Sequence, residues 1–161
     1  HDLARRQRQM CIRDRPIPLS LKDVGIYHSV VRFDNGDYHL KYEEGSWWEW
    51  FKDSDKTFHA ISGDNVFCFA KVFAPTKIST KIYHHWEFFN EAADEWQTHD
   101  RLSYSISGGR DGGFRGYTLI RNYREGKWRC TVETERGQVL GRETFEIETN
   151  GQPNELKTKI D

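Results

Sequence analysis

No stretch of this chain approaches the roughly 20 consecutive apolar residues of a membrane-spanning helix, so none is expected within its 161 residues. Cysteine is scarce: the three present are Cys11, Cys68 and Cys130. That is too few for a disulfide framework, and the absence of a Cys-x-x-Cys pair leaves no zinc motif. Proline occurs four times and methionine once, at Met10. No Gly-x-Ser-x-Gly elbow and no Walker pattern occurs, which removes the usual sequence marks of a serine hydrolase or a nucleotide-binding loop. No segment shows the apolar period of an amphipathic helix.

Against these absences stands one anomalous stretch, "RRQRQMCIRDR" (Arg5–Arg15), which is basic, lacks apolar periodicity and contains the sole methionine. A secretory signal would follow its basic start with roughly 7–15 apolar residues, and none follows. The eleven residues resemble a sequencing-library adaptor translated in one frame, so residues 1–15 are expected to be a non-native segment, with the native sequence running from near Pro16 and its own N-terminus lost. Setting the segment aside removes five of 24 basic and two of 25 acidic side chains, leaving 19 against 23 and a net charge near −4. A general nucleic-acid binder depends on neutralising phosphates, so nucleic acid is not expected as a partner. About 146 residues suit one domain with a proper core.

What is present reads as strands. "IYHSVVRF" and "YHLKYEE" flank Asn35-Gly36, a hairpin signal. "VFCFAKVFAP" places Val66, Cys68, Ala70 and Val72 on one face. "KIYHHWEFF" and "WQTHDRLSYSI" follow as paired strands, then "FRGYTLIRNY", then a closing hairpin, "GKWRCTVETERGQVLGRETFEIE". Trp128, Cys130 and Val132 point one way there, with Phe145 and Ile147 as their partners. "PIPLSLKDVG" is extended, because alternate prolines oppose a helix, and "GSWWEWFKDSDKTFHAISGDN" is irregular with one short strand or turn. The organisation expected is residues 1–15 non-native, 16–148 a single all-β antiparallel sandwich of immunoglobulin-like plan, and 149–161 a polar tail.

Several of these pieces carry a resemblance. "PLSLKDVGIY", "VFCFAKVFAP", "KIYHHW", "ISGGRDGGFRGYT" and "GKWRCTVETERGQVLGRETFEI" resemble the bacterial family called domain of unknown function 2914, most densely over Val66–Glu148. The resemblance implies the C-terminal, non-cytoplasmic domain of a membrane-anchored protein whose helical front half is missing here, hence a periplasmic setting. It supplies no activity and no catalytic residues. The aromatic stretch around Trp47 is longer than the family leads one to expect.

Candidate chemistry is sparse. Strand alternation sends His84 and His85 to opposite faces, so the pair cannot grip one metal, and His84 is expected as a core-edge histidine bonded to backbone. Carboxylates such as Glu87 with Glu91, or Asp94 with Glu95, are what any acidic chain offers on strand edges and turns. No catalytic residue, metal site or cofactor is expected. Cys68 and Cys130 stand 62 residues apart with Trp86 between them, the order seen in immunoglobulin-type sandwiches. They are either a bridge, which requires an oxidising compartment, or two independent small core residues.

Two binding surfaces suggest themselves: Trp47, Trp48 and Trp50 as an aromatic platform, and Arg110, Arg115 and Tyr117 around the glycine-rich "SGGRDGGFRG" loop. A structural plug and a plain crossover loop are the bland alternatives. The function expected is a non-catalytic binding or interaction module for a protein or glycan, with a hydrolase or carbohydrate-active domain as the alternative. Because residues 1–15 were never selected to pack, their deletion should leave the melting temperature nearly unchanged; a drop of several degrees on thermal melting refutes that reading.

Overall fold

The computed structural model describes residues 19–43, 56–60, 64–75, 77–108, 113–149 and 156–161. These form the strands β1 (Ser20–Tyr27), β2 (Ser29–Arg32), β3 (Tyr38–Glu43), β4 (Lys56–His59), β5 (Val66–Phe73), β6 (Ile78–Asn90), β7 (Glu95–Gly108), β8 (Phe114–Ile120), β9 (Gly126–Thr134), β10 (Val139–Glu148) and β11 (Leu156–Ile160), with no helix among the described residues. Three sheets result, ordered β1-β5-β8, β4-β10-β9-β6-β7 and β11-β3-β2. All neighbours are antiparallel except β4, which runs parallel to β10 with Phe58 opposite Ile147.

Alternation explains the layers. On β5, Val66, Cys68, Ala70 and Val72 are fully buried against the five-stranded sheet, where they meet Trp86, Trp128, Cys130, Val132, Phe145, Ile82 and Ile147. The opposite face of β5 is also covered. Phe69 is fully buried and packs with Tyr27, Val30, Tyr38 and Leu40, so the β11-β3-β2 sheet lies over the outer side of β1-β5-β8. A strand buried on both faces needs a near-continuous apolar run, and "VFCFAKVF" is one.

The connections carry their own chemistry. Gly36 has φ 91° in the β2–β3 turn, where Phe33 N–H donates to the Asp37 carbonyl at 2.8 Å and Asp37 N–H donates to Asn35 Oδ1 at 3.1 Å. Asn35-Gly36 thus turns the chain as its sequence predicts. At the tip of the β6–β7 hairpin, Asn90 Oδ1 accepts from the backbone N–H groups of Ala92 at 3.0 Å and Ala93 at 3.2 Å. A glycine is required at 116 for space: a Cβ there would collide with the ring of Tyr104, where β7 approaches β8.

The segment 149–161, expected as a polar tail, instead supplies β11, which pairs antiparallel with β3 from Leu156–Glu43 to Ile160–His39. Alternation on an exposed sheet tolerates a polar composition, so hydrophobicity alone concealed the strand. The likewise irregular segment before Val66 contributes the short β4.

Trp128 lies at the centre of the sandwich, 1% exposed, with its indole N–H donating to the Arg124 carbonyl at 2.8 Å and Phe88 and His99 rings 5.5 and 4.9 Å away. Trp128→Ala should lower stability by about 3–5 kcal/mol through the cavity it leaves, measured by urea unfolding; a loss below ~1 kcal/mol would contradict this packing.

Candidate functional site

Reactive side chains converge at the sandwich centre. Cys68 of β5 and Cys130 of β9 form a disulfide between the two facing sheets, with a Cα separation of 6.7 Å. The rungs beside it match: Cys68 is the ladder partner of Thr118 on β8, and Cys130 that of Trp86 on β6. Across the interface, Trp86 Nε1–H donates to Thr118 Oγ1 at 3.0 Å, and Thr118 Oγ1 lies 2.8 Å from His84 Nδ1. Thr118 Oγ1 thus bridges the indole and the imidazole, and His84 Nε2 lies 3.2 Å from Tyr104 OH. Burial alone lowers the His84 pKa from 6.5 to about 3, holding the imidazole neutral, and burial likewise raises the Tyr104 phenol. His84 thus sits deeper than a core-edge residue, and its partners are side chains of β8 and β7 rather than backbone. Cys68, Cys130 and His84 place one donor atom each within 4.8 Å of one another, a grouping that strand alternation within β6 cannot reveal because it forms across sheets.

A second cluster occupies the outer face of the five-stranded sheet. Arg129 of β9 grips Glu87 of β6 with two hydrogen bonds, 2.9 and 3.2 Å. His85 Nδ1 lies 3.5 Å from Glu133 and 4.0 Å from Glu87, while its Nε2 meets Thr98 Oγ1 at 2.7 Å. Arg101 reaches Glu133 at 3.4 Å and covers the Tyr83 ring at 3.9 Å; Arg129 covers Trp96 at 4.3 Å. A histidine between two carboxylates invites an acid–base reading. Yet each carboxylate is matched to a guanidinium, and half-buried charges paired this way serve the sheet they span.

Of the residues proposed from sequence, Arg115 and Tyr117 lie on β8. Arg115 is held by the C-terminal strand's end: its Nη1 donates to the Asp161 main-chain oxygen at 3.1 Å, and Nε is 3.7 Å from Asp161 Oδ1, an oxygen that Lys71 also contacts at 3.2 Å. Tyr117 is 37% exposed, beside Phe67. Trp47, Trp48, Trp50 and Arg110 lie outside the described residues, as does segment 1–15.

A surface feature not singled out from sequence lies on the β11-β3-β2 sheet. Val31, Phe33 and Ile160 are 48%, 45% and 61% exposed. Val31 and Ile160 flank His39 as its ladder partners on either side, and the Phe33 ring lies tilted against His39 with centroids 3.9 Å apart. The four side chains therefore make one continuous row on the outer face. No single strand displays it, since its residues come from three.

Comparison with known proteins places residues 79–147 under the family model described as a protein of unknown function, DUF2914. The matched span contains the "KIYHHW", "ISGGRDGGFRGYT" and "GKWRC" motifs that carry the resemblance. No curated protein matches the chain. Among solved structures, the chain is similar to the Pseudomonas fluorescens alkylpurine DNA glycosylase AlkC bound to DNA containing an abasic site analog (12% identity, TM-score 0.43, 88% of this chain and 34% of that one). It is similar to an immunoglobulin-like protein from Pseudomonas aeruginosa (11%, 0.40, covering 81% and 96%) and to a beta-glucosidase from Listeria innocua in complex with glucose (9%, 0.34, covering 73% and 16%). The chain therefore spans only 34% of the glycosylase and 16% of the glucosidase.

Thr118→Val keeps the shape of the sandwich centre but removes the hydroxyl that serves both Trp86 and His84. The two buried groups left unpaired should lower stability by about 1–3 kcal/mol each, read from chemical unfolding. A variant as stable as the parent would show that the hydroxyl is not the partner of either ring.

Proposed function

Starting from the DUF2914 match over residues 79–147, we propose that the chain is a non-catalytic interaction module of an extracytoplasmic, membrane-anchored bacterial protein, and that it engages a protein partner through the outer face of the β11-β3-β2 sheet. The observation that carries this reading is the exposed row Val31–Phe33–His39–Ile160. Soluble domains seldom leave large apolar side chains contiguous on one face unless another surface covers them, and this row holds three of the five exposed large hydrophobic residues described. The compartment is supported by the buried Cys68–Cys130 bridge, a bond that persists in oxidising surroundings. The non-catalytic reading is supported by the outer-face charges among the described residues being mutually paired, Glu87 with Arg129 and Glu133 with Arg101 and His85.

The test is site-specific photo-crosslinking in a DUF2914-bearing bacterium. A photoreactive residue at Val31 should give one discrete protein adduct, lost when Ile160→Asp is added. The same residue at Glu91, on the distant β6–β7 tip, should give none. Equal labelling from both positions, or an adduct indifferent to Ile160→Asp, would overturn the assignment.

A further inference from the structure

We propose that Cys68, Cys130 and His84, once the disulfide is reduced, form a buried binding site for a single thiophilic d10 cation, Cu(I) or Zn(II). Three observations converge on it. The three donor atoms lie within 4.8 Å of one another, and all three residues are fully buried. In a trigonal site with metal–sulfur bonds of about 2.3 Å and metal–nitrogen bonds of about 2.0 Å, the donors stand roughly 4 Å apart, a spacing this grouping reaches when the sulfurs separate to non-bonded contact. Cα atoms 6.7 Å apart accommodate that small movement.

Both ring nitrogens of His84 face hydroxyl oxygens, Nδ1 at 2.8 Å from Thr118 Oγ1 and Nε2 at 3.2 Å from Tyr104 OH. Ligation through Nδ1 requires the Thr118 side chain to turn about χ1, so that its oxygen and not only its proton leaves that position. With a metal on Nδ1, Nε2–H donates to Tyr104 OH, the outer contact that ligating histidines characteristically make through their second nitrogen. Thiolate and imidazole donors select soft or borderline ions over Mg(II) or Ca(II). The count of three donors suits Cu(I), whereas charge balance suits Zn(II), whose two charges two thiolates cancel.

The chemistry balances as follows. A trialkylphosphine cleaves the bridge; water supplies the oxygen of the phosphine oxide and the two protons of the thiols. Metal binding then releases both thiol protons as the two metal–sulfur bonds form. One trio of side chains thus supports two alternative cross-links between the sheets, a covalent one and a coordinate one.

The full-length chain, carrying Cys11→Ser so that only two thiols remain, is unfolded with phosphine and refolded anaerobically with Cu(I) or Zn(II) supplied separately. Near-ultraviolet circular dichroism reports packing, and bound metal is counted after gel filtration. We expect one equivalent of one of the two ions, accompanied for Cu(I) by thiolate-to-metal charge-transfer absorption, and none in Cys68→Ser. Tyr104→Phe, which keeps all three ligands but removes the outer contact, should weaken binding by about 10–100-fold. His84→Gln should lower affinity further if it folds; if it does not, Tyr104→Phe alone decides the role of the imidazole. The proposal is overturned by reduced protein that refolds without taking up either ion, by reduced protein that refolds neither with nor without them, by equal uptake in Cys68→Ser, or by unchanged affinity in Tyr104→Phe.

Discussion

The two facing sheets are joined at their centre by a covalent bond and a hydroxyl on the same rung of each ladder, and the pairing register of four strands depends on that junction. Cys68 stands opposite Thr118 on one sheet, and Trp86 opposite Cys130 on the other. A slip of one residue in either ladder would turn a cysteine, an indole or the hydroxyl toward the wrong face. Apolar side chains alone tolerate such exchange, because hydrophobic contact is non-directional. A disulfide and a shared hydroxyl do not. In the chain-entropy account, closing a loop of 62 residues stabilises the fold by about 4 kcal/mol, comparable with burying the central tryptophans. The hydroxyl contributes less energy and more specificity, because the indole N–H and the imidazole Nδ1 would both lose their partner without it.

The layers outside this centre follow from what each strand must hide. β5 is apolar on both sides, so a single partner sheet would leave Phe69 in water. The β11-β3-β2 sheet covers it and is anchored at its margin by Asp161, which meets Lys71 and Arg115 and exchanges backbone hydrogen bonds with Tyr38 at 2.9 Å. Arg115 therefore fastens the third layer to the second. Its place on β8 was readable from the sequence, but its role was not, because its partner lies 46 residues away in a segment whose composition suggests a solvated tail.

Residues 66–73 and 126–147 announced their strands through strict alternation, and the inward set Val66, Cys68, Ala70, Trp86, Trp128, Cys130, Val132, Phe145 and Ile147 is buried throughout. Asn35-Gly36 announced its turn. These signals are local: two-residue periodicity and a left-handed backbone position are properties of a few consecutive residues. Most of what depends on residues far apart was hidden; the Cys68–Cys130 bridge was open in the sequence as one of two alternatives, from the order Cys, Trp, Cys. The parallel pairing of β4 with β10, the three-strand row of Val31, His39 and Ile160, and the meeting of His84 with the two sulfurs each require the topology first. A histidine's fate is especially hard to read this way. Alternation says which side of the sheet it takes, but only the facing sheet decides whether it meets a backbone carbonyl, a hydroxyl or a thiol.

Two faces of the molecule compete as contact surfaces, and desolvation separates them. On the outer side of the five-stranded sheet, Glu87, Glu133, Arg101, Arg129 and His85 already satisfy one another, with Tyr83 and Trp96 lying beneath the guanidinium groups. A ligand docking there must displace or desolvate paired charges, and the attraction it gains is offset by the attraction it breaks. The row on the β11-β3-β2 sheet sets a single imidazole, His39, among three apolar side chains. Val31, Phe33 and Ile160 lose only water on contact, and every apolar square ångström removed contributes about 25 cal/mol. Among the described residues the row spans β2 and β11, the outer strands of this sheet. Charge keeps the first face closed on itself, while apolar exposure favours the second as a contact surface.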